Sequence, residues 1–167
     1  SLVRARKLRL GQRACIRSFS VIETGEFVLS DDSVIQEQVL VGGMPTSRSK
    51  RLIGKRVKIL PLTIFNTTEP ITLEDEVAIG GSTYIFTHST WQSVLDGYQS
   101  GFGPVTIKRG CWISWRVFIM PNVTITEDAR VGAHSVVNND VPPRSFVAGA
   151  PARVIKTPDE NIREVSP

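Results

Sequence analysis

Aliphatic residues recur at every sixth position over long stretches of this chain, and few folds accept that spacing. Leu10, Ile16, Ile22, Val28, Val34 and Leu40 stand six apart without a break. The beat resumes at Ile53, Ile59, Phe65 and Ile71, slips by two residues across Thr67-Thr68-Glu69-Pro70, and continues through Leu73, Ile79 and Ile85. Its longest run is Ile107, Ile113, Ile119, Ile125, Val131 and Val137, and four places after each come Cys111, Val117, Val123, Ala129, Ser135 and Val141. An α-helix puts i and i+6 on different faces. A strand alternates with period two over only a few residues. A strict six suits a coil with flat sides, each side a short strand and each corner a turn through about a third of a circle. Three sides make a turn of about 18 residues, and stacked turns pair their backbones as parallel ladders ~4.8 Å apart. The aliphatic residue of each hexad then points inward onto its copy one turn away, and the residue four later is expected to be small because it sits near a corner. No hexad buries its own apolar residue; a stack does. The expected architecture is all-β, a parallel solenoid over residues 1–157, with extra loops at about 41–52 and 88–104 and a tail or short helix at 158–167.

Composition agrees. A chain of 167 residues and 18.4 kDa is one domain by size. With 41% apolar and 22% charged residues, it has too much to bury for general disorder. No apolar run reaches the length of a membrane span, and no apolar stretch follows the first charges as in a secretory signal, so a cytoplasmic protein is expected. The net charge is +4, and six of the 20 basic residues (Arg4, Arg6, Lys7, Arg9, Arg13 and Arg17) precede the first acid. A nucleic-acid surface would interleave such a run with aromatics. Only Phe19 is near, so the run reads as a solvated edge or a face meeting an acidic part of the same protein, with no nucleic-acid partner. Cys15 and Cys111 form no metal or disulfide pattern and read as reduced, small and buried.

The run from Val105 to Pro143, continued by Phe146-Val-Ala-Gly-Ala-Pro-Ala-Arg-Val-Ile-Lys156, closely resembles the hexapeptide-repeat acyltransferases, particularly the sugar O-acetyltransferases. The resemblance is strong over residues 53–157 and weaker over 10–45. It implies a left-handed parallel β-helix that moves acetyl from acetyl-coenzyme A, with no metal, and a homotrimer. The hand comes from the resemblance and not from the period. Two departures stand out. Trp112-Ile113-Ser114-Trp115 replaces the usual Trp-Ile-Gly, and His134 replaces the second Gly of Val-Gly-Ala-Gly-Ser. In relatives the pantetheine arm runs along the coil walls at these places, which makes Ser114 and Ala133 candidate donor contacts.

Sixteen extra residues follow His88 before the beat returns at Ile107. A loop this long in a compact repeat is usually functional. It carries Trp91, Asp96, Tyr98 and Phe102, candidate contacts to a small-molecule acceptor. The resemblance places the catalytic His at His88 and lets the loop wall a neighbour's site. One base suffices for this chemistry. A thioester is already activated, so the enzyme has only to hold the acceptor, remove its proton and meet the developing oxyanion. Asn66, at the first slip in register, is either an acceptor contact or an ordinary corner Asn tolerating positive φ. Glu69, Asp96 or a backbone carbonyl could orient the imidazole. His134, inside an unbroken run, reads as a plain wall residue. Arg153 and Lys156 match basic residues that face the coenzyme A phosphates in relatives. A γ-type carbonic anhydrase shares the architecture but needs three His ligands, and this chain has two histidines. The remaining alternative is a non-catalytic solenoid module of a larger protein.

Overall fold

The computed structural model of the protein describes residues 1–44, 46, 48–89, 93–97 and 101–157. These form a parallel β-solenoid of about seven turns, consistent with a left-handed β-helix. Among the described residues the single helical element is a 3-10 turn, Val94–Asp96, and no helix is long and apolar enough to cross a membrane.

The prism has three faces. Leu2–Leu10 and Val21–Leu29 each bend round a corner and so serve the first face with their first halves and the second face with their second halves. The first face continues through Leu40–Gly42, Ile64–Asn66, Tyr84–Ile85, Phe118–Ile119 and Val136–Val137. The second continues through Lys50–Ile53, Ile71–Leu73, Val105–Ile107 and Thr124–Ile125, and closes on a bridge at Val141. The third runs from Cys15–Ile16 through Val34–Ile35, Lys58–Ile59, Ala78–Ile79, Trp112–Ile113 and Arg130–Val131 to Phe146–Ala148. Arg153–Lys156 folds back antiparallel on this last strand.

Inside, Ile22, Ile35, Ile59, Ile79, Ile85, Ile107, Ile113, Ile119 and Ile125 are all fully buried. The hexad beat is thus borne out from Ile53 onward. Earlier it fails by one residue. Val28 and Val34 are half-buried and Leu40 is exposed, while their chain neighbours Leu29, Ile35 and Val41 fill the core. The cause is the bend within Val21–Leu29, where Thr24-Gly25-Glu26 spends one residue more than a regular six-residue side, so Ile22 and Leu29 stand seven apart. Gly25 is required there: a Cβ on it would lie 2.7 Å from the Ser49 carbonyl oxygen. The second column is likewise not a corner position. It lies in the core two residues before each aliphatic, which is why Phe27 and Ile71 fit in it beside Val117, Val123 and Ala129. Cys15 proves exposed on the outside of the first turn, whereas Cys111 is buried in that second column and burial pushes its thiol up to about 11.

Corners use residues with left-handed backbone. At the edge between the second and third faces, Arg13, Asp32, Arg56 and Glu76 take φ of 55–64° and stack with alternating charge. Arg13 pairs with Asp32, Arg56 with Glu76, and Arg109 also reaches Glu76. The early basic run is partly absorbed in the same way, since Arg4 meets Glu23 and Arg17 meets Glu37.

One member of the second column is not apolar. Arg51 stands between Phe27 and Ile71 on the second face and is 1% exposed. Its Nη1 donates to the carbonyls of Lys50 and Glu69, while Nε and Nη2 meet no partner. Desolvation pushes this guanidinium down to about 9.

The register shift makes a direct prediction. Ile35→Ala removes a core residue and should destabilise by about 2–5 kcal/mol, whereas Val34→Ala should stay within about 1 kcal/mol. Denaturant titration of the two variants distinguishes this register from an unbroken beat, which would reverse the order.

Candidate active site

Both long excursions leave the solenoid at one edge, where the first face hands over to the second. The smaller one joins Leu40–Gly42 to Lys50–Ile53. The larger follows Tyr84–Ile85, so that Tyr84 pairs with Phe118, 34 residues on, where Phe118 to Val136 takes 18. Between the two excursions lies the slipped segment 66–70. Its two extra residues push the backbone outward just below His88, because Phe65 and Leu73 must both stay in the core.

His88 opens the larger loop as part of a two-residue antiparallel pair with Gly101–Phe102. Phe102 lies against the imidazole with ring centroids 5.9 Å apart. Asn66 Oδ1 sits 2.9 Å from His88 Nδ1, and Thr68 Oγ1 is 3.3 Å from the same nitrogen. The Thr68 hydroxyl also donates to Asn66 Oδ1 at 3.3 Å, and Thr87 Oγ1 lies 3.5 Å from the same oxygen. Thr87 Oγ1 in addition donates to the Asn66 carbonyl at 2.9 Å and accepts from Glu69 N–H at 3.0 Å. An amide oxygen has only lone pairs to offer. His88 Nδ1 is therefore the protonated nitrogen of that contact, and in the neutral ring this puts the lone pair on Nε2, the tautomer a general base at Nε2 needs.

The orienting group is thus neither of the acids considered. Glu69 turns its carboxylate to Arg48, at 2.7 Å, and Asp96 is exposed in the Val94–Asp96 turn. Asn66 is not a left-handed corner residue, since its φ is not positive, and its amide oxygen is taken up by His88 and the two threonines. Thr68 and Thr87 were not singled out from sequence; their one visible signal is that they flank the slip and His88. Trp91 and Tyr98 lie outside the described residues.

The donor-side candidates occupy a different edge. Ser114 and Ala133 sit in the turns between the third and first faces. Ser114 lines a groove of about 400 Å³ on the third face with Lys58, Ala78, Trp112 and Trp115. The Trp115 indole packs against Gly81, where a Cβ would come within 2.4 Å of the ring. His134 takes φ of 59° at its turn, and the non-glycine residues Ser82 and Arg116 take φ of 54° and 56° at theirs. Arg153 and Lys156 are exposed on the terminal strand. Within one chain, His88 and these residues are not brought together.

The first face lies between those two edges and is apolar outside as well as in. Its outward column reads Leu2, Val21, Leu40, Ile64, Tyr84, Phe118 and Val136. Tyr84 stacks on Phe118 with centroids 4.9 Å apart, and Phe86 lies against both at 6.3 and 6.4 Å. The outward column of the second face instead includes Thr72, Thr106 and Thr124, and that of the third includes Lys58 and Arg130.

No protein-family model matches the chain. The galactoside O-acetyltransferase of Escherichia coli is 34% identical over 105 residues, 62% of this chain and 42% of that protein. A Staphylococcus aureus protein named as an acetyltransferase is 37% identical over 67 residues, 40% of this chain and 33% of the relative. The chain thus spans well under half the length of these curated relatives. Among solved structures, a hexapeptide-repeat acetyltransferase of Vibrio cholerae complexed with acetyl-coenzyme A superposes with a TM-score of 0.61 at 31% identity, covering 70% of this chain and 63% of that one. The Bacillus cereus N-acyltransferase AntD, in complex with dTDP and coenzyme A, shares the fold at a TM-score of 0.73 and 21% identity, covering 90% and 84%. In part of its sequence, and over most of its length in fold, the chain is similar to the hexapeptide-repeat acetyltransferases.

Proposed function

We propose that the protein is a coenzyme A-dependent acetyltransferase whose acceptor is a hydroxyl or amine of a small molecule, a sugar by its similarity to the galactoside enzyme, with His88 as general base. The observation that carries this is the contact between Asn66 Oδ1 and His88 Nδ1, which in the neutral ring selects the tautomer with its lone pair on Nε2, at the start of the long loop. The acceptor O–H or N–H gives its proton to Nε2 as the heteroatom attacks the thioester carbonyl. Backbone N–H groups of the coil edge meet the oxyanion. Collapse breaks the C–S bond, and the leaving thiolate takes the proton back from the imidazolium. Asp96 and Phe102, with Trp91 and Tyr98 of the same loop, are the candidate contacts to the acceptor, and the amide N–H₂ of Asn66 is a further candidate donor to it.

The donor contacts Ser114, Ala133, Arg153 and Lys156 belong to a neighbouring copy. The apolar first face supports this: it separates the His88 edge from the donor edge, and an exposed apolar sheet of seven turns favours association. If copies pack cyclically over that face, the His88 edge of one meets the donor edge of the next, which gives a homotrimer with three shared sites. The Arg153 and Lys156 side chains then suit the donor's phosphates.

Three outcomes follow. His88→Ala should lower the rate by ~10²–10⁴-fold, remove the part of the pH–rate profile due to a neutral imidazole, and leave acetyl-coenzyme A binding nearly unchanged. Full activity in this variant with an accepted substrate would move the role elsewhere. Phe118→Arg should give monomers in light scattering at tens of micromolar where the parent is trimeric; a monomeric parent would contradict the shared site. Replacing Arg153 and Lys156 together by Ala should weaken coenzyme A binding in calorimetry by about 1–3 kcal/mol. If neither acetyl-coenzyme A nor coenzyme A binds the parent protein, the non-catalytic solenoid is the better description.

A further inference from the structure

A cation inside a solenoid core calls for a physical reason. Arg51 occupies a column otherwise filled by Phe27, Ile71 and Val105, in apolar surroundings that include Val41, Ile53 and Phe65. Among the described residues, two of its three guanidinium nitrogens have no partner, and the contact within its own strand is the one to the Lys50 carbonyl. Replacing buried charge by an apolar side chain of similar volume is often neutral or stabilising. Among the described residues, its one hydrogen bond to a distant part of the chain is the donation from Nη1 to the Glu69 carbonyl at 3.1 Å.

That carbonyl belongs to the segment that holds His88. The excursion before Arg51 grips the same segment at three further points. Thr46 Oγ1 donates to the Thr68 carbonyl at 2.8 Å. Arg48 Nη2 lies 2.7 Å from the Glu69 carboxylate. Gly43 comes so close that a Cβ there would be 2.9 Å from Thr67 N and 3.4 Å from Asn66 Oδ1. From Glu69 the path to the base is short: its N–H donates to Thr87 Oγ1, Thr87 Oγ1 donates to the Asn66 carbonyl, and Asn66 Oδ1 accepts from His88 Nδ1. The ladder still holds Asn66 and Thr67 against Gly42, and Pro70 against Val105, so the part of the segment that the two extra residues leave to other supports is Thr68-Glu69.

We propose that Arg51 is a positioning residue for His88: from inside the core it fixes the Glu69 carbonyl, and with Thr46 and Arg48 outside it clamps segment 66–69 so that Asn66 and Thr68 hold the imidazole as its Nδ1–H tautomer. This rests on His88 being the base. It assigns the 43–51 excursion a role in the site that neither its composition nor its distance in sequence suggests.

The test reads the tautomer without any acceptor. The nitrogen shifts of the two imidazoles are measured by NMR on the full chain at a pH where both rings are neutral, with His134→Gln to assign them. His88 should be overwhelmingly Nδ1–H in the parent protein and should drift toward the mixture of a free peptide in Arg51→Met. Arg51→Lys keeps the charge but cannot reach the Glu69 carbonyl, so it should behave the same way and serves if Arg51→Met fails to fold by circular dichroism. In parallel, the slow hydrolysis of acetyl-coenzyme A, with water as the acceptor, should fall about tenfold in kcat with KM unchanged, while thermal stability holds or rises. A purely structural arginine would lower stability and leave the tautomer alone. A parent-like tautomer and kcat in either variant overturns the positioning role and leaves His88 as the base. A parent protein that is mainly Nε2–H overturns it as well. Equal hydrolysis by His88→Ala and the parent would refute the base itself, and the tautomer comparison would still decide what Arg51 does.

Discussion

Each turn of this molecule lends its backbone N–H and C=O groups to the turns on either side, and the inward aliphatic residues close the same stack from within. Trp112 N–H, for example, bonds to the Ala129 carbonyl one turn on, at 3.0 Å, while Ile79, Ile113 and Val131 lie in register beside that ladder. A residue can therefore leave the coil only at a corner, and an insertion must return the chain to the column it left. That constraint explains why both excursions emerge at one edge and why the sixteen residues after His88 disturb neither Ile85 nor Ile107.

The same constraint sets what the site can be made from. Side chains on coil walls are held rigidly, but a coil's three edges point in three directions. A single prism keeps His88 and the turns of Ser114 and Ala133 apart by the width of the first face. The apolar outward column from Leu2 to Val136 occupies the face between them, so association is the step that would complete the site. In the proposed site, the orientation of His88 would then depend on how the edge segment 66–69 is held: by the ladder at Asn66 and Thr67, by the hydroxyls of Thr68 and Thr87, by the excursion carrying Thr46 and Arg48, and by the buried guanidinium of Arg51.

Much of this was legible in the sequence. The period of six is a consequence of turn geometry, so Ile107 to Val137 gave their positions away, and the missed beats after Ile85 marked the loop. A one-residue ambiguity remained in the early turns because Val28 and Leu29, or Val34 and Ile35, are equally apolar; only the extra residue at Gly25 decides between them, and it has no signature in hydrophobicity. His88 stood out by its place before an insertion. Its partner did not, because contact across turns joins residues about twenty apart whose pairing depends on the slip in register, and Asn66 reads equally well as a corner. Arg51 was invisible for a related reason: a lone basic residue in a loop-flanked strand looks solvated until its column is known.

The central claim, that a site is shared between the His88 edge of one copy and the donor edge of the next, is tested most directly by complementation. His88→Ala protein and protein with Arg153 and Lys156 both changed to Ala are each assayed for acetyl transfer, then unfolded together, refolded and assayed as mixed assemblies. The account predicts that the mixture regains a substantial part of the parent activity, because some interfaces then combine an intact His88 with intact donor contacts. A mixture no more active than the average of its two components would contradict it.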